Sequence, residues 1–91
     1  MEEYYVYLLQ CSDGTLYTGS TNRLEHRLAV HQAGKGAKYT RSRLPVQLVY
    51  WEKLPCKGDA LRREHQIKGL TRSQKLALIQ GFSPSLPTIE G

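Results

Sequence analysis

The chain has 91 residues, of which 40% are hydrophobic and 23% charged, and a net charge of +5. So short a chain builds one compact core, and its composition is that of a globular protein rather than a disordered one. No run approaches the roughly 20 apolar residues that cross a bilayer, and the start, MEEYYV, lacks the basic-then-apolar order of a signal peptide, so no membrane partner and a cytoplasmic location are expected.

Cys11 and Cys56 show no C-x-x-C spacing and read as reduced packing residues. Seven of the eight acids and all basic residues precede residue 82; Glu90 alone lies in the tail. The positive excess favours polyanionic partners such as nucleic acid.

In chain order, residues 4–10 and 15–20 are predicted strands around CSDGT, whose Ser-Asp-Gly run supplies turn residues for an antiparallel hairpin. TNRLEHRLAVHQAGKG follows, with Asn22 as the expected N-cap, Glu25 three residues on and Gly34 as the C-terminal stop of a helix of about three turns. Pro45 precedes the strand-like run VQLVYWEK at 46–53, rich in β-branched and aromatic residues. CKGDALRREHQIKGL is predicted as a second helix, and Thr71 with Gln74 forms a capping-box pattern opening a third that ends at Gly81. Residues 1–81 thus form one domain, and 82–91, with two prolines and no periodicity, read as a disordered tail. The order strand, strand, helix, strand, helix, helix predicts a small α/β (α+β) layer fold around an antiparallel or mixed sheet.

Several polar residues fall where a core is expected. At about 100° per residue, Leu24, Arg27, Leu28 and His31 share one arc of the first helix, so the arginine and histidine point toward the sheet. Either Arg27 snorkels to solvent while His31 is a satisfied packing residue, or Arg27 faces a phosphate. In the second helix Ala60, Leu61 and Ile67 define the apolar face, and Glu64 lies near its middle. A buried unpaired carboxylate is costly, so Glu64 needs a partner: Lys68 four residues on, a metal ion, or another donor. KGAKYTRSR, between the first helix and the third strand, sets Lys35, Lys38, Arg41 and Arg43 around Tyr39 without an acid. Such a loop suits phosphate contact and base stacking, or is simply a solvated charged surface. His26, His31 and His65 form no H-x-x-x-H or H-E-x-x-H metal pattern, and neither a P-loop nor a G-x-S-x-G elbow is present.

Taken together, YVY at 5–7, YTG at 17–19, Arg27 with His31 one turn later, and Glu64 on a later helix resemble the GIY-YIG nuclease superfamily, especially its small stand-alone bacterial members. The resemblance extends over residues 4–81 and rests on the order and spacing of all these elements. It implies a three-stranded antiparallel sheet flanked by helices, in the order β-β-α-β-α-α, and cleavage of DNA phosphodiester bonds with one divalent metal. By this analogy Glu64 holds the Mg²⁺ or Mn²⁺, Tyr7 and Tyr17 sit beside the attacking water, Arg27 neutralises the scissile phosphate, and His31 supports that group or a tyrosine hydroxyl. Branched or nicked DNA is the implied substrate class, with a protein partner supplying specificity where other members use an additional DNA-binding domain. Tyr5 stands where the first motif usually has glycine and Thr18 where the second often has isoleucine. Many members carry an asparagine after the metal-binding glutamate; HQIKGLTRSQKLALI has none, which leaves Lys68 and Gln74 as candidate substitutes. The alternatives are a non-catalytic nucleic-acid-binding module that keeps the nuclease fold, and an interaction domain with Arg27 and Glu64 paired in the core.

One geometric question decides whether the two tyrosines can share a site. A two-residue Asp13-Gly14 turn sets Tyr17 opposite Gln10 and sends Tyr7 to the other side of the sheet. A three-residue Ser12-Asp13-Gly14 loop, with Gly14 left-handed, sets Leu9 opposite Tyr17 and makes Tyr7 its diagonal neighbour on one face.

Overall fold

The computed structural model describes residues 3–82. Its elements are β1 (Tyr4–Gln10), β2 (Leu16–Thr21), α1 (Leu24–Gln32), a single helical turn α2 (Lys38–Arg41), β3 (Gln47–Leu54), α3 (Lys57–Lys68) and α4 (Arg72–Gln80). The strands form one antiparallel sheet in the order β2-β1-β3, flanked by helices. The α2 turn lies inside the basic segment expected to be a loop; four residues carry too little periodicity to announce it.

β1 occupies the middle because its VYLL run is apolar on both faces. Val6 and Leu8 pack on one face with Tyr50 and with Ala60 and Ile67 of α3. Tyr7, Leu9 and Cys11 pack on the other with Val46, beneath Leu24 and Leu28 of α1. The β1–β3 pairing shifts between Leu8, opposite Tyr50, and Leu9, opposite Leu48, so Val49 is the extra residue of a bulge.

The hairpin takes the three-residue loop. Leu9 pairs with Tyr17 and Tyr7 with Gly19, and the Cys11 N–H donates to the Thr15 carbonyl at 2.9 Å. Gly14 closes the loop at φ 84°, a conformation open to glycine at no steric cost. Asp13 braces it by accepting from the Thr15 N–H and hydroxyl.

α1 begins one residue later than its sequence suggests. Arg23, not Asn22, is the N-cap and makes no side-chain cap, while Thr21 Oγ1 accepts the Arg23 N–H at 3.1 Å. At the other end Gly34, at φ 76°, completes a Schellman motif, with its N–H on the His31 carbonyl and the Lys35 N–H on that of Val30. α4 opens with the reciprocal Thr71–Gln74 capping box. Two expectations need correction. Leu61, assigned to the buried face of α3, is 50% exposed, since the sheet receives Ala60 and Ile67 instead. Phe82, assigned to a disordered tail, packs against Tyr50 and Trp51 with ring centroids 5.2 and 5.9 Å apart. The rest of that tail, 83–91, lies outside the described residues. Among the described residues no helix is long and apolar enough to cross a membrane, and both cysteines are free.

Candidate functional site

The register sets Tyr7 and Tyr17 on the α1 face of the sheet, with ring centroids 6.5 Å apart. His31, in the last turn of α1, comes down between them, 6.0 Å from the Tyr7 ring and 5.3 Å from that of Tyr17. Two glycines make the room. A Cβ at Gly19 would lie 2.5 Å from the Tyr7 hydroxyl, and one at Gly36 would lie 2.4 Å from His31 Nδ1, so any larger residue displaces the group beside it. The glycine of YTG is therefore a clearance for the hydroxyl of the paired strand.

A chain of hydrogen bonds runs through this face. The Tyr7 hydroxyl lies 3.1 Å from His31 Nε2, His31 Nδ1 lies 2.9 Å from Thr40 Oγ1, and the Thr40 hydroxyl donates to the Ala37 carbonyl at 2.9 Å. Burial pushes the Tyr7 pKa up to about 12, Tyr17 adding to the rise while the Arg27 guanidinium beside it pulls the other way. Tyr7 is thus a neutral phenol at pH 7. Burial, and then the Arg27 cation, hold His31 below the ordinary histidine range, so the imidazole is neutral too. Arg27 itself is exposed and engages the Tyr7 hydroxyl, and among the described residues Glu64 pairs with Lys68 and Ser20 rather than with Arg27.

Glu64 approaches from the opposite face. Ser20 on the edge strand β2 alternates with Tyr17 and Gly19, and its hydroxyl donates to Glu64 Oε1 at 2.6 Å. Lys68 Nζ sits 2.7 Å from Oε2, one turn along α3. Burial raises the Glu64 pKa, but the hydrogen bonds from Lys68 and Ser20 outweigh it, and the carboxylate is held below its usual range. The Glu64 side chain is 16% exposed and that of Lys68 is 54% exposed, so the carboxylate is largely buried while its counter-ion reaches solvent. The negative charge of Glu64 makes the smallest of the contributions that raise the Tyr7 pKa.

The basic segment lies alongside. Tyr39 stacks on Tyr17, centroids 6.1 Å apart and 24° between planes, and the Arg43 guanidinium lies 4.0 Å over the Tyr39 ring. Arg43 is engaged further, with Asp13 at 3.0 Å and the Tyr39 carbonyl at 2.9 Å. Base stacking on Tyr39 therefore competes with contacts it already has. Lys35, Lys38 and Arg41 are exposed. Lys68 and Lys75 line a cleft of about 270 Å³ with Leu16, Tyr17, Thr18 and Tyr39, which extends the positive surface past Tyr17. Gln74 is used in its own helix cap. Sequence reasoning missed Thr40 and Ser20, whose roles arise from tertiary hydrogen bonds; the only local signal was a nearby glycine in each case, Gly19 before Ser20 and Gly36 ahead of Thr40.

No three His, Cys, Asp or Glu side chains gather into a metal cluster among the described residues. A one-carboxylate site nevertheless fits Mg²⁺ or Mn²⁺, because hard cations take oxygen donors and Mg²⁺ commonly completes its shell with water and substrate phosphate. Glu64 meets that requirement: its carboxylate is held below the usual range, positioned by Ser20, and balanced by a half-exposed lysine.

A family model described as the GIY-YIG catalytic domain matches residues 3–77. A UPF0213 protein of Clostridium perfringens is 57% identical over 79 residues, 87% of this chain and 85% of its own length. One of Staphylococcus haemolyticus is 52% identical over 80 residues, covering 88% of this chain and 98% of its own. The solution NMR structure of a UPF0213 protein from Bacillus halodurans superposes with a TM-score of 0.57 at 45% identity, over 86% of this chain and 83% of that one. That of an E. faecalis protein gives 0.59 at 40% identity, over 88% of each. With the family model spanning residues 3–77 and relatives more than half identical over most of the chain, the chain belongs to the GIY-YIG family of nuclease-type domains.

Proposed function

We propose that this protein is a divalent-metal-dependent DNA endonuclease of the hydrolase class, acting on branched or nicked DNA in repair or recombination, with residues 1–81 as its catalytic unit. The observation that carries the reading is the Tyr7–His31 hydrogen bond: a neutral phenol held against a neutral imidazole, with the Arg27 cation beside it. With a pKa of about 12, Tyr7 is a poor phenolate at neutral pH, so it serves as a relay. As a water oxygen attacks phosphorus, a proton of that water passes to the Tyr7 oxygen while the Tyr7 proton passes to His31 Nε2. The bond from phosphorus to the leaving sugar oxygen breaks, and that oxygen is protonated from solvent. Arg27 offsets the charge that builds on the phosphoryl oxygens, and Tyr17 orients the water from its position beside the Tyr7 ring. Glu64 would hold the cation, which when bound supplies Lewis-acid stabilisation of charge on the phosphate.

Lys35, Lys38 and Arg41 would neutralise backbone phosphates, with Tyr39 and Arg43 beside them, and unpaired nucleotides of a branch or nick give the exposed segment room to engage. A partner protein supplying specificity and a cytoplasmic location, consistent with two free cysteines, belong to the same proposal. The Lys68–Glu64 ion pair favours one other reading, a binding module in which lysine replaces the metal and no cleavage occurs. Incubating single-stranded, duplex, nicked and branched DNA, and RNA, with Mg²⁺ or Mn²⁺ and wild type, Glu64→Ala or Arg27→Ala separates them. Cleavage by wild type alone supports the nuclease; salt-sensitive binding by all three without cleavage supports the module.

A further inference from the structure

The buried polar chain from Tyr7 ends at a residue to which the reaction gives no direct part. Tyr7, His31 and Thr40 are 3%, 1% and 0% exposed, so this chain of hydrogen bonds lies within the packed face of the sheet. A threonine hydroxyl has one hydrogen, and a carbonyl oxygen only accepts. The Thr40 hydroxyl lies 2.9 Å from the Ala37 carbonyl and 2.9 Å from His31 Nδ1. If its hydrogen went to Nδ1, two oxygen lone pairs would face each other at the Ala37 contact. With the hydrogen on the Ala37 carbonyl, Thr40 accepts from Nδ1–H, Nε2 is left with a lone pair, and Tyr7 donates to it at 3.1 Å. Only this direction satisfies all three contacts.

The surroundings make the arrangement rigid. The Ala37 carbonyl also receives the Thr40 and Arg41 N–H groups at 3.1 Å each, which is what folds KYTR into the α2 turn and aims the threonine inward. Gly36 leaves no free space beside Nδ1, since a Cβ there would sit within 3 Å of three ring atoms. We propose that Thr40 is a positioning residue that selects the Nδ1–H tautomer of His31 and thereby keeps Nε2 open to take the Tyr7 proton. The opposite tautomer would present an N–H to the Tyr7 oxygen and block that transfer. The catalytic consequence rests on the nuclease reading; the tautomer does not.

The test is the imidazole ¹⁵N spectrum of the full chain, correlated through ring protons, for wild type, Thr40→Ser and Thr40→Val, with cleavage measured in parallel. The wild type and Thr40→Ser are expected to show a pyrrole-like Nδ1 and a pyridine-like Nε2 at His31. Thr40→Val, isosteric but unable to accept, is expected to lose that pattern and to cleave roughly 10- to 100-fold more slowly, with KM little changed. Wild-type His31 with a protonated Nε2, or a Thr40→Val spectrum identical to wild type, overturns the assignment. The wild-type spectrum decides the matter even if the valine variant fails to fold. A chain that cleaves nothing overturns the nuclease reading, while the spectrum still decides whether Thr40 sets the tautomer.

Discussion

On the α1 face of the sheet, Tyr7, His31 and Thr40 are buried among packed side chains, uncharged, and joined by hydrogen bonds running one way; at the β2 edge Glu64 meets a serine and a half-exposed lysine. The first region is finished before any substrate arrives, because burial makes neutrality cheaper than charge. The second is a charged site balanced by a side chain that reaches solvent. A proton-handling group gains from fixed geometry, whereas a cation-binding group must exchange partners.

The contrast breaks most severely when a group in direct contact with the reaction is lost. Glu64→Ala should lower metal-dependent cleavage by about 10²-fold or more, and Tyr7→Phe by about 10²- to 10⁴-fold, each read in single-turnover assays. Both variants should keep a cooperative melt close to that of wild type, so a lost fold would assign their defects elsewhere. Gly19→Ala probes the buried region differently: its Cβ meets the Tyr7 hydroxyl, and overpacking should destabilise by about 1–3 kcal/mol in urea melts. An unchanged midpoint would show that Tyr7 is not held there.

Acidification sharpens the same comparison. The folded-state pKa of His31 is lowered, so on falling pH the unfolded chain takes up its proton first. His31 therefore contributes stability that is complete above the ordinary histidine pKa of about 6.5 and is lost as pH falls through the lower, folded value. Cleavage should decline on the acid side with an apparent pKa below that of a free histidine, and a His31→Asn variant should lack that limb. Smallest in stability terms is Lys68→Ala, which removes a half-exposed i,i+4 pair worth about 0.2–0.5 kcal/mol. Mg²⁺ titration followed by amide shifts should nevertheless show tighter binding near Glu64, because the competing cation is gone; weaker binding would mean that Lys68 helps to build the site.

Much of this was legible in the chain. The aromatic and β-branched content of residues 4–10 and 46–53 marks strands, Gly34 and the Thr71–Gln74 box mark helix ends, and YVY, YTG, Arg27, His31 and Glu64 mark the family by order. The hairpin register was not, because Ser-Asp-Gly supports loops of two lengths and only the left-handed backbone of Gly14 selects one. Asn22 is the stronger intrinsic cap, yet the chain enters α1 at Arg23, where Thr21 takes the free N–H. Leu61 shows that helical periodicity gives a face but not the share of it that a three-stranded sheet can cover. Thr40 was hidden for a different reason: its importance lies in a hydrogen to a neighbouring carbonyl, visible only once the α2 turn is formed.

The central claim, that Tyr7 relays a proton in a reaction requiring Glu64, is tested most directly by single-turnover cleavage of a branched DNA with Mg²⁺ or Mn²⁺ by wild type and Tyr7→Phe. Cleavage by the wild type and a loss of about 10²-fold or more in the phenylalanine variant, at unchanged DNA affinity, is the predicted result. Equal rates for the two proteins, or DNA binding by the wild type with no cleavage under either metal, would contradict it.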